Sequence, residues 1–486
     1  MAVAAQHAPD PQSADALVRA AFDQLKLGYR ESGGLTYAQR VDALDRLIDA
    51  MRRWEDRVAD AISADFGHRS PHETAMAEVY FVVNHAKYLK KHLKSWMEPE
   101  KRGIEATFLP GKNRVIRQPL GVVGVIAPWN YPVQLALTPL SAAIAAGNRV
   151  LVKPSEVTPR TSEVLAELVA ELFSPRVAAV VTGDREVGVA FAKLPFDHLL
   201  FTGSTEVGRH IMKAAAKNLT PVTLELGGKS PTIIHRDFPV DDAMERVVCG
   251  KLLNAGQTCI APDYVLVARD RVDAFVDSFR RTTGRCYPSL ADNPDYTSIV
   301  SDSHYERLEV YLADATEKGA TVIEVNPAGE TFDEAGRKLA PMLVTGVSDE
   351  MKVMQEEIFG PILPIVPYDT LEDAIAFVNE RPRPLALYYF DRDKDRARKV
   401  LEETVSGGAC VNDVMLHIAQ DDMPFGGVGP SGMGAYHGRE GFETFSHRKA
   451  VFKQARFNLT SLLAPPYGKK IDTLLDFMIG RKKKKG

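Results

Sequence analysis

Residues 121–156 read GVVGVIAPWNYPVQLALTPLSAAIAAGNRVLVKPSE. The opening GVVGVIAP is a run of branched apolar side chains, the pattern of a strand buried on both faces. TPLSAAIAAG then reads as a helix stopped by Gly147. NRVLVKPS, from Asn148, is a second buried strand. Strand, helix, strand in so short a span is the unit of a parallel sheet. The alternation continues through TSEVLAELVAELF (161–173), VAAVVTGD (177–184), EVGVAFAKL (186–194), DHLLFTGS (197–204) and TEVGRHIMKAAAKN (205–218). Such a sheet is covered by helices on both faces and binds ligands beyond the carboxyl ends of its strands. Asn130 falls at such an end after the first strand, Lys153 and Glu156 after the second, and Gly203 after the fourth.

Upstream, apolar residues three and four apart predict helices over 38–67, ending at Gly67, and over Glu73 to Trp96. GIEATFLPGKNRVIRQP (103–119) has two short extended runs around Pro110-Gly111, a hairpin signal expected to form an arm at about 102–117. Downstream, TPVTLELGGKSPTIIH (220–235) begins a second α/β unit, with a boundary near Pro221. The glycine-rich MPFGGVGPSGMGAYHG (423–438) closes that unit, and FETFSHRKAVFKQ (442–454) reads as a final exposed strand. The expected division is 1–220, 221–425, a return segment at 426–456 and a tail at 457–486.

Composition bounds the class. The 486 residues suffice for two or three domains. Hydrophobic content of 45% and charged content of 26% are those of an ordinary globular protein. A net charge of −4 gives no sign of nucleic-acid binding. Four cysteines with neither framework spacing nor a C-x-x-C pair point to a reducing compartment, and a cytoplasmic location is expected. The start, MAVAAQHAPDPQSADA, lacks the marks of a signal peptide. No apolar stretch approaches the roughly 20 residues that span a bilayer. The ending, DTLLDFMIGRKKKKG, is a short amphipathic run and four lysines, expected to be a solvated or docked tail.

One cysteine stands apart. Cys259 follows Asn254-Ala255-Gly256-Gln257-Thr258, which breaks a helix-like run. A turn at a helix end is a partly exposed place that suits a nucleophile. Cys249, within the run, reads as a packed small hydrophobe, as do Cys286 and Cys410. Glu225 ends the strand PVTLEL, where burial raises a carboxyl pKa toward that of a general base; pairing with Lys229 is the alternative. Asn130, between Pro128 and Pro132, is a stiffly held amide that could donate to an oxyanion or cap a helix. FTGSTEVG (201–208) places helix-start N–H groups where a pyrophosphate could sit. QEEIFGPIL carries Glu356, Glu357 and Phe359 before a Gly-Pro turn. His68 and His72 lack a third ligand and read as surface histidines, so no metal is expected.

Seven stretches occur in one order: PWNYP, VLVKPSE, FTGSTEVG, LELGGKSP, NAGQTC, EEIFGPILP and PFGGVGPSGMG. Together they resemble the aldehyde dehydrogenase superfamily over nearly the whole chain. Within it, the ending SGMGAYHGREGFETFSHRKAV resembles the class 3 branch, and there the bacterial coniferyl aldehyde dehydrogenases. The resemblance implies an α/β fold: a Rossmann-type NAD(P)-binding domain, an α/β catalytic domain and a small β oligomerisation arm. It implies Cys259 as nucleophile and Glu225 as activator of the hydrolytic water. The Asn130 amide and the Cys259 N–H would form the oxyanion hole. Lys153 and Glu156 would hold the adenosine ribose, and Gly203 and Ser204 the pyrophosphate. Glu357 would hold the nicotinamide ribose, with Trp129 and Phe359 also at the cofactor. The implied reaction oxidises an aldehyde to the acid through a cysteine thiohemiacetal and a thioester. The cofactor would be NAD, with NADP possible, since a Glu at 156 suits a free 2′-hydroxyl. A homodimer, an aromatic or medium-chain aldehyde, and no integral membrane association are expected. Transfer of the thioester to coenzyme A, or a non-catalytic binding role, are the rival readings; a water-activating carboxylate at 225 speaks against the first.

Overall fold

The computed structural model describes residues 11–333, 336–458 and 464–480. Its centre is a six-stranded sheet in the order Gly432–Met433, Val222–Glu225, His198–Thr202, Val122–Ile126, Arg149–Lys153, Ala178–Val180. All pairings are parallel except that of Gly432–Met433 with Val222–Glu225. The strands Val122–Ile126, Arg149–Lys153 and His198–Thr202 are buried at every position. That burial explains their unbroken apolar runs. Gly147 stops the helix Gln134–Ala146 in a left-handed conformation, φ +96°.

A seven-stranded sheet follows, in the order Thr321–Glu324, Met342–Thr345, Ile362–Tyr368, Tyr264–Ala268, Pro231–Ile234, Ala386–Phe390, Gly408–Val411. A small antiparallel sheet joins Glu100–Arg102, Lys112–Pro119 and Ser446–Lys453. Most of Ser446–Lys453 is exposed.

Four sequence expectations need correction. Val222–Glu225 pairs in parallel with His198–Thr202, so it belongs to the first sheet and the changeover lies after Glu225 rather than at Pro221. Leu224 and Leu226 pack into the same core as Phe201, which holds the strand there. In the arm, the first strand is Glu100–Arg102, ahead of GIEATF, where Ala106–Phe108 instead makes one tight 3₁₀ turn. The closing strand starts only at Ser446, because residues 438–444 form a helix that packs Phe442 into the core. Cys249, on the helix Val240–Leu252, is exposed beside Cys286 and is not buried in the core.

The expected helix from Glu73 to Trp96 is continuous from Pro71 to Met97 and contains a π-helical turn at Ala75–Tyr80. Such turns carry one extra residue and re-aim the side chains around them. Glu73 and Glu78, on either side of its start, both turn inward and are buried.

Candidate active site

The two larger sheets meet at a cavity of about 980 Å³. Trp129, Asn130, Gly203, Ser204, Glu225, Cys259, Glu357 and Phe359 all line it. Residues from five separate stretches of sequence thus converge on one space. Lys153 and Glu156 do not line it; they pair with each other, Nζ to Oε2 at 2.5 Å, at the end of the neighbouring strand.

Cys259 sits on a loop held in a particular shape. Asn254, Ala255 and Gly256 all have positive φ, at +53°, +50° and +76°. A Cβ at Gly256 would meet the Gly360 carbonyl at 2.4 Å, so only glycine fits. The Asn254 N–H donates to the buried Glu73 carboxylate at 3.1 and 3.2 Å. Gln257 donates to the carbonyls of Asn254 and Ser298 and accepts from the Val300 N–H. The hydroxyls of Thr258 and Tyr131 lie 2.6 Å apart. Every residue from 254 to 258 is buried, while Cys259 itself is half-buried at the cavity wall. Burial pushes the Cys259 thiol up, and the carboxylates of Glu357 and Glu225 push it further. The N–H groups of Cys259 and Ile260 pull the other way.

Asn130 is buried, and its amide donates to the Gln257 carbonyl at 3.2 Å. Its own carbonyl accepts from Arg69 and from the Asn254 amide, each at 3.1 Å. Arg69 is wholly buried, paired with Glu78 at 3.0 Å and stacked over Tyr131 at 4.8 Å. Glu78 in turn accepts the N–H groups of Val133 and Gln134. Asn130 therefore caps no helix; it is fixed beside the nucleophile loop. An Asn130→Ala variant is expected to lose about 10²–10³ in kcat with little change in cofactor affinity, as removal of one oxyanion donor does. Steady-state kinetics beside cofactor titration check this.

Glu225 is buried and neither carboxylate oxygen has a hydrogen-bond partner among the described residues. Burial raises its pKa well above the usual value. The pairing with Lys229 does not occur: Lys229 binds Asp263 and the carbonyls of Val353 and Glu356. An unpaired buried carboxyl facing a cavity is placed for proton transfer, not for structure.

Glu357 lies against Gly227, where a Cβ would come within 1.9 Å of Oε2. Its Oε1 has no partner among the described residues, and burial, then the Asp263 charge, raise its pKa to about 8. Phe359, at φ +51°, stands edge-on to Trp129 with ring centres 5.4 Å apart. Ser204 caps the helix Thr205–Ala216, whose start opens on the cavity. An unpaired carboxylate oxygen, two aromatic rings and a free helix N-terminus in one cleft fit a dinucleotide's ribose, nicotinamide and pyrophosphate.

Arg69, Glu78 and Lys251 are among the buried charges that sequence reasoning missed. Arg69 falls inside the HRSPHE stretch, whose histidines are the more conspicuous residues. His68 contacts the Pro294 carbonyl and His72 is exposed. Glu78 lies on the inward face of its helix. Lys251 is buried with Nζ unpartnered among the described residues, and burial lowers its pKa to about 8. Its signal was a lysine spaced with the apolar Val247 and Val248. Among the described residues no group of three or more His, Cys, Asp or Glu could hold a metal ion.

Comparison with known proteins places this geometry. The aldehyde dehydrogenase family profile matches residues 3–451. A Pseudomonas aeruginosa protein named "Probable coniferyl aldehyde dehydrogenase" is 54% identical over 437 residues, covering 90% of this chain and 91% of that protein. The "Coniferyl aldehyde dehydrogenase" of a Pseudomonas species is 50% identical, covering 94% and 95%. A substrate-bound Staphylococcus aureus AldH structure superposes with a TM-score of 0.90 at 37% identity, covering 95% and 99%. A Mycobacterium tuberculosis aldehyde dehydrogenase complexed with NAD⁺ gives 0.82 at 30% identity, covering 93% and 92%. The chain belongs to the aldehyde dehydrogenase family, and its activity is the NAD- or NADP-dependent oxidation of an aldehyde.

Proposed function

We propose that the chain oxidises an apolar aldehyde, coniferyl aldehyde or a medium-chain aliphatic one, to the carboxylic acid at Cys259. The observation that carries this is the meeting of a thiol, a fixed amide and an unpaired buried carboxyl on one cavity wall. The names of the similar Pseudomonas proteins supply the aromatic substrate. Cys259 attacks the carbonyl carbon. The Asn130 amide and the Cys259 N–H receive the oxyanion, each such donor typically lowering the barrier by about 3–4 kcal/mol. Bound nicotinamide supplies the hydride acceptor. Glu225 then takes a proton from water, which hydrolyses the thioester. A base is needed because water alone is a weak nucleophile. That need favours hydrolysis over transfer to coenzyme A. Ultraviolet detection of NADH with coniferyl aldehyde and with hexanal tests the reading, and dependence of product on coenzyme A would overturn it.

NAD is the preferred cofactor in this reading. Glu156, half-exposed beside Lys153, would accept from the ribose and repel a 2′-phosphate. Glu156→Gln is expected to raise kcat/KM with NADP by about tenfold, the worth of roughly one removed charge repulsion. No gain with NADP would show that this carboxylate does not discriminate.

The assembly is a homodimer in the cytoplasm in this reading. The exposed outer edge of Ser446–Lys453 supports it, because an open strand edge seeks a partner. Light scattering reads the mass.

A further inference from the structure

We propose that the continuous helix from Pro71 to Met97 sets the width of the oxyanion hole, with Glu73 and Glu78 as its two positioning residues. The inference rests on the reading of the Asn130 amide and the Cys259 N–H as the oxyanion donors. Those donors belong to different sheets. Asn130 follows the strand Val122–Ile126 of the first, and Cys259 precedes the strand Tyr264–Ala268 of the second. Neither sheet alone fixes the gap between them. The helix does, because it holds both loops. The Glu73 carboxylate accepts the Asn254 N–H at 3.1 and 3.2 Å and the Thr297 hydroxyl at 2.7 Å. The Glu78 carboxylate accepts the N–H groups of Val133 and Gln134 at 3.1 and 2.6 Å. It also pairs with Arg69, which donates to the Asn130 carbonyl. One helix thus grips the chain just before Cys259 and just after Asn130. The Asn254 amide, donating to the Asn130 carbonyl at 3.1 Å, ties the two loops to each other.

The π-helical turn at Ala75–Tyr80 makes the double grip possible. In a regular α-helix, residues five apart point about 140° away from each other, so one of two such carboxylates would face away. The wider repeat of a π turn brings them toward one side. Glu73 and Glu78 are five apart, and both are buried. A buried carboxylate is costly unless its oxygens are used. Each of the four oxygens here accepts at least one hydrogen bond. Glu225, whose oxygens accept none among the described residues, is the opposite case and keeps its role in proton transfer. The nucleophile loop needs such an anchor. Asn254 and Ala255 adopt a left-handed backbone that side chains other than glycine rarely take. A misplacement of about 1 Å in an oxyanion donor can lower a rate by about 10²-fold.

A double-variant cycle in the full chain tests the proposal. Glu73→Ala is expected to slow NADH formation in a single turnover by about 10–100-fold, with cofactor affinity within about twofold of the parent. Added to Asn130→Ala, it should slow that variant by no more than about threefold, because the second change damages a hole already broken. Glu73→Gln, which still offers an acceptor to the Asn254 N–H, should recover most of the lost rate. If Glu73→Ala does not fold, Glu73→Asp, with its carboxylate drawn back by one methylene, takes its place in the same cycle. Losses that multiply in the double variant would show that Glu73 only supports the fold, and would overturn the proposal. A single variant as fast as the parent, or a Gln variant as slow as the Ala one, would overturn it too. An Asn130→Ala protein as fast as the parent would overturn the oxyanion reading itself, and the proposal with it.

Discussion

A Cys259→Ala protein is expected to fold, to bind cofactor as the parent does, and to lose about 10⁵-fold or more in kcat/KM for every aldehyde. No second thiol is available to replace it: Cys249, Cys286 and Cys410 do not line the cavity. Turnover at a tenth of the parent rate would remove Cys259 from the mechanism. The same thiol carries a pH prediction. Burial and the neighbouring carboxylates of Glu357 and Glu225 raise its pKa, so the empty enzyme holds it protonated at neutral pH. The thiolate is the reactive form. Alkylation of Cys259 by iodoacetamide, followed by peptide mass spectrometry, should therefore quicken by about tenfold per pH unit from neutrality upward. A flat profile would mean that the two N–H groups outweigh the burial.

Glu225→Gln should separate the two halves of the reaction. The first half needs the thiol and the oxyanion donors, which this change leaves in place. The expected result is a burst of about one NADH per site, then turnover slowed by about 10²–10⁴-fold, with the acyl group visible as added mass on Cys259. Full-speed turnover would assign the base elsewhere. The variant should also be the more stable protein. Glu225 has a raised pKa in the folded state, so the folded chain binds a proton that the unfolded chain releases. Stability from that proton is fully present below the unfolded value and is lost as pH rises through the folded one. Gln carries no such proton. Melting temperatures of parent and variant should thus diverge progressively as pH rises above the usual carboxyl range, the variant ending higher. A parent that melts higher at alkaline pH would contradict an unpaired buried carboxyl.

The first sheet was legible because its strands are buried on both faces, so period and composition agree along Val122–Ile126 and His198–Thr202. The boundary near Pro221 was misplaced because proline marks a strand start as readily as a domain end. Only pairing with His198–Thr202 assigns that strand. Cys259 and Glu225 stand out in the sequence because a thiol after a broken helix and an acid at a strand end are locally odd, and both line the cavity. Arg69 and Glu78 are locally ordinary. Their function, holding the Asn130 backbone, comes from contacts 61 positions apart that no local pattern encodes. Lys153 and Glu156 show the reverse: the motif is conspicuous, yet the side chains sit beside the cavity and not on its wall.

The two-residue strand Gly432–Met433 also sets a timetable for synthesis. It pairs with Val222–Glu225, and Thr205 reaches Pro430 across 225 positions of sequence. At roughly 5–20 residues per second, the ribosome leaves that edge uncovered for some tens of seconds after Glu225 emerges. During that interval the nascent chain presents an open strand edge, a template for pairing with the wrong chain. The sheet edge at the strand that carries Glu225 is thus closed only once Gly432 has emerged, and chains interrupted before it would be clients for chaperones or for aggregation.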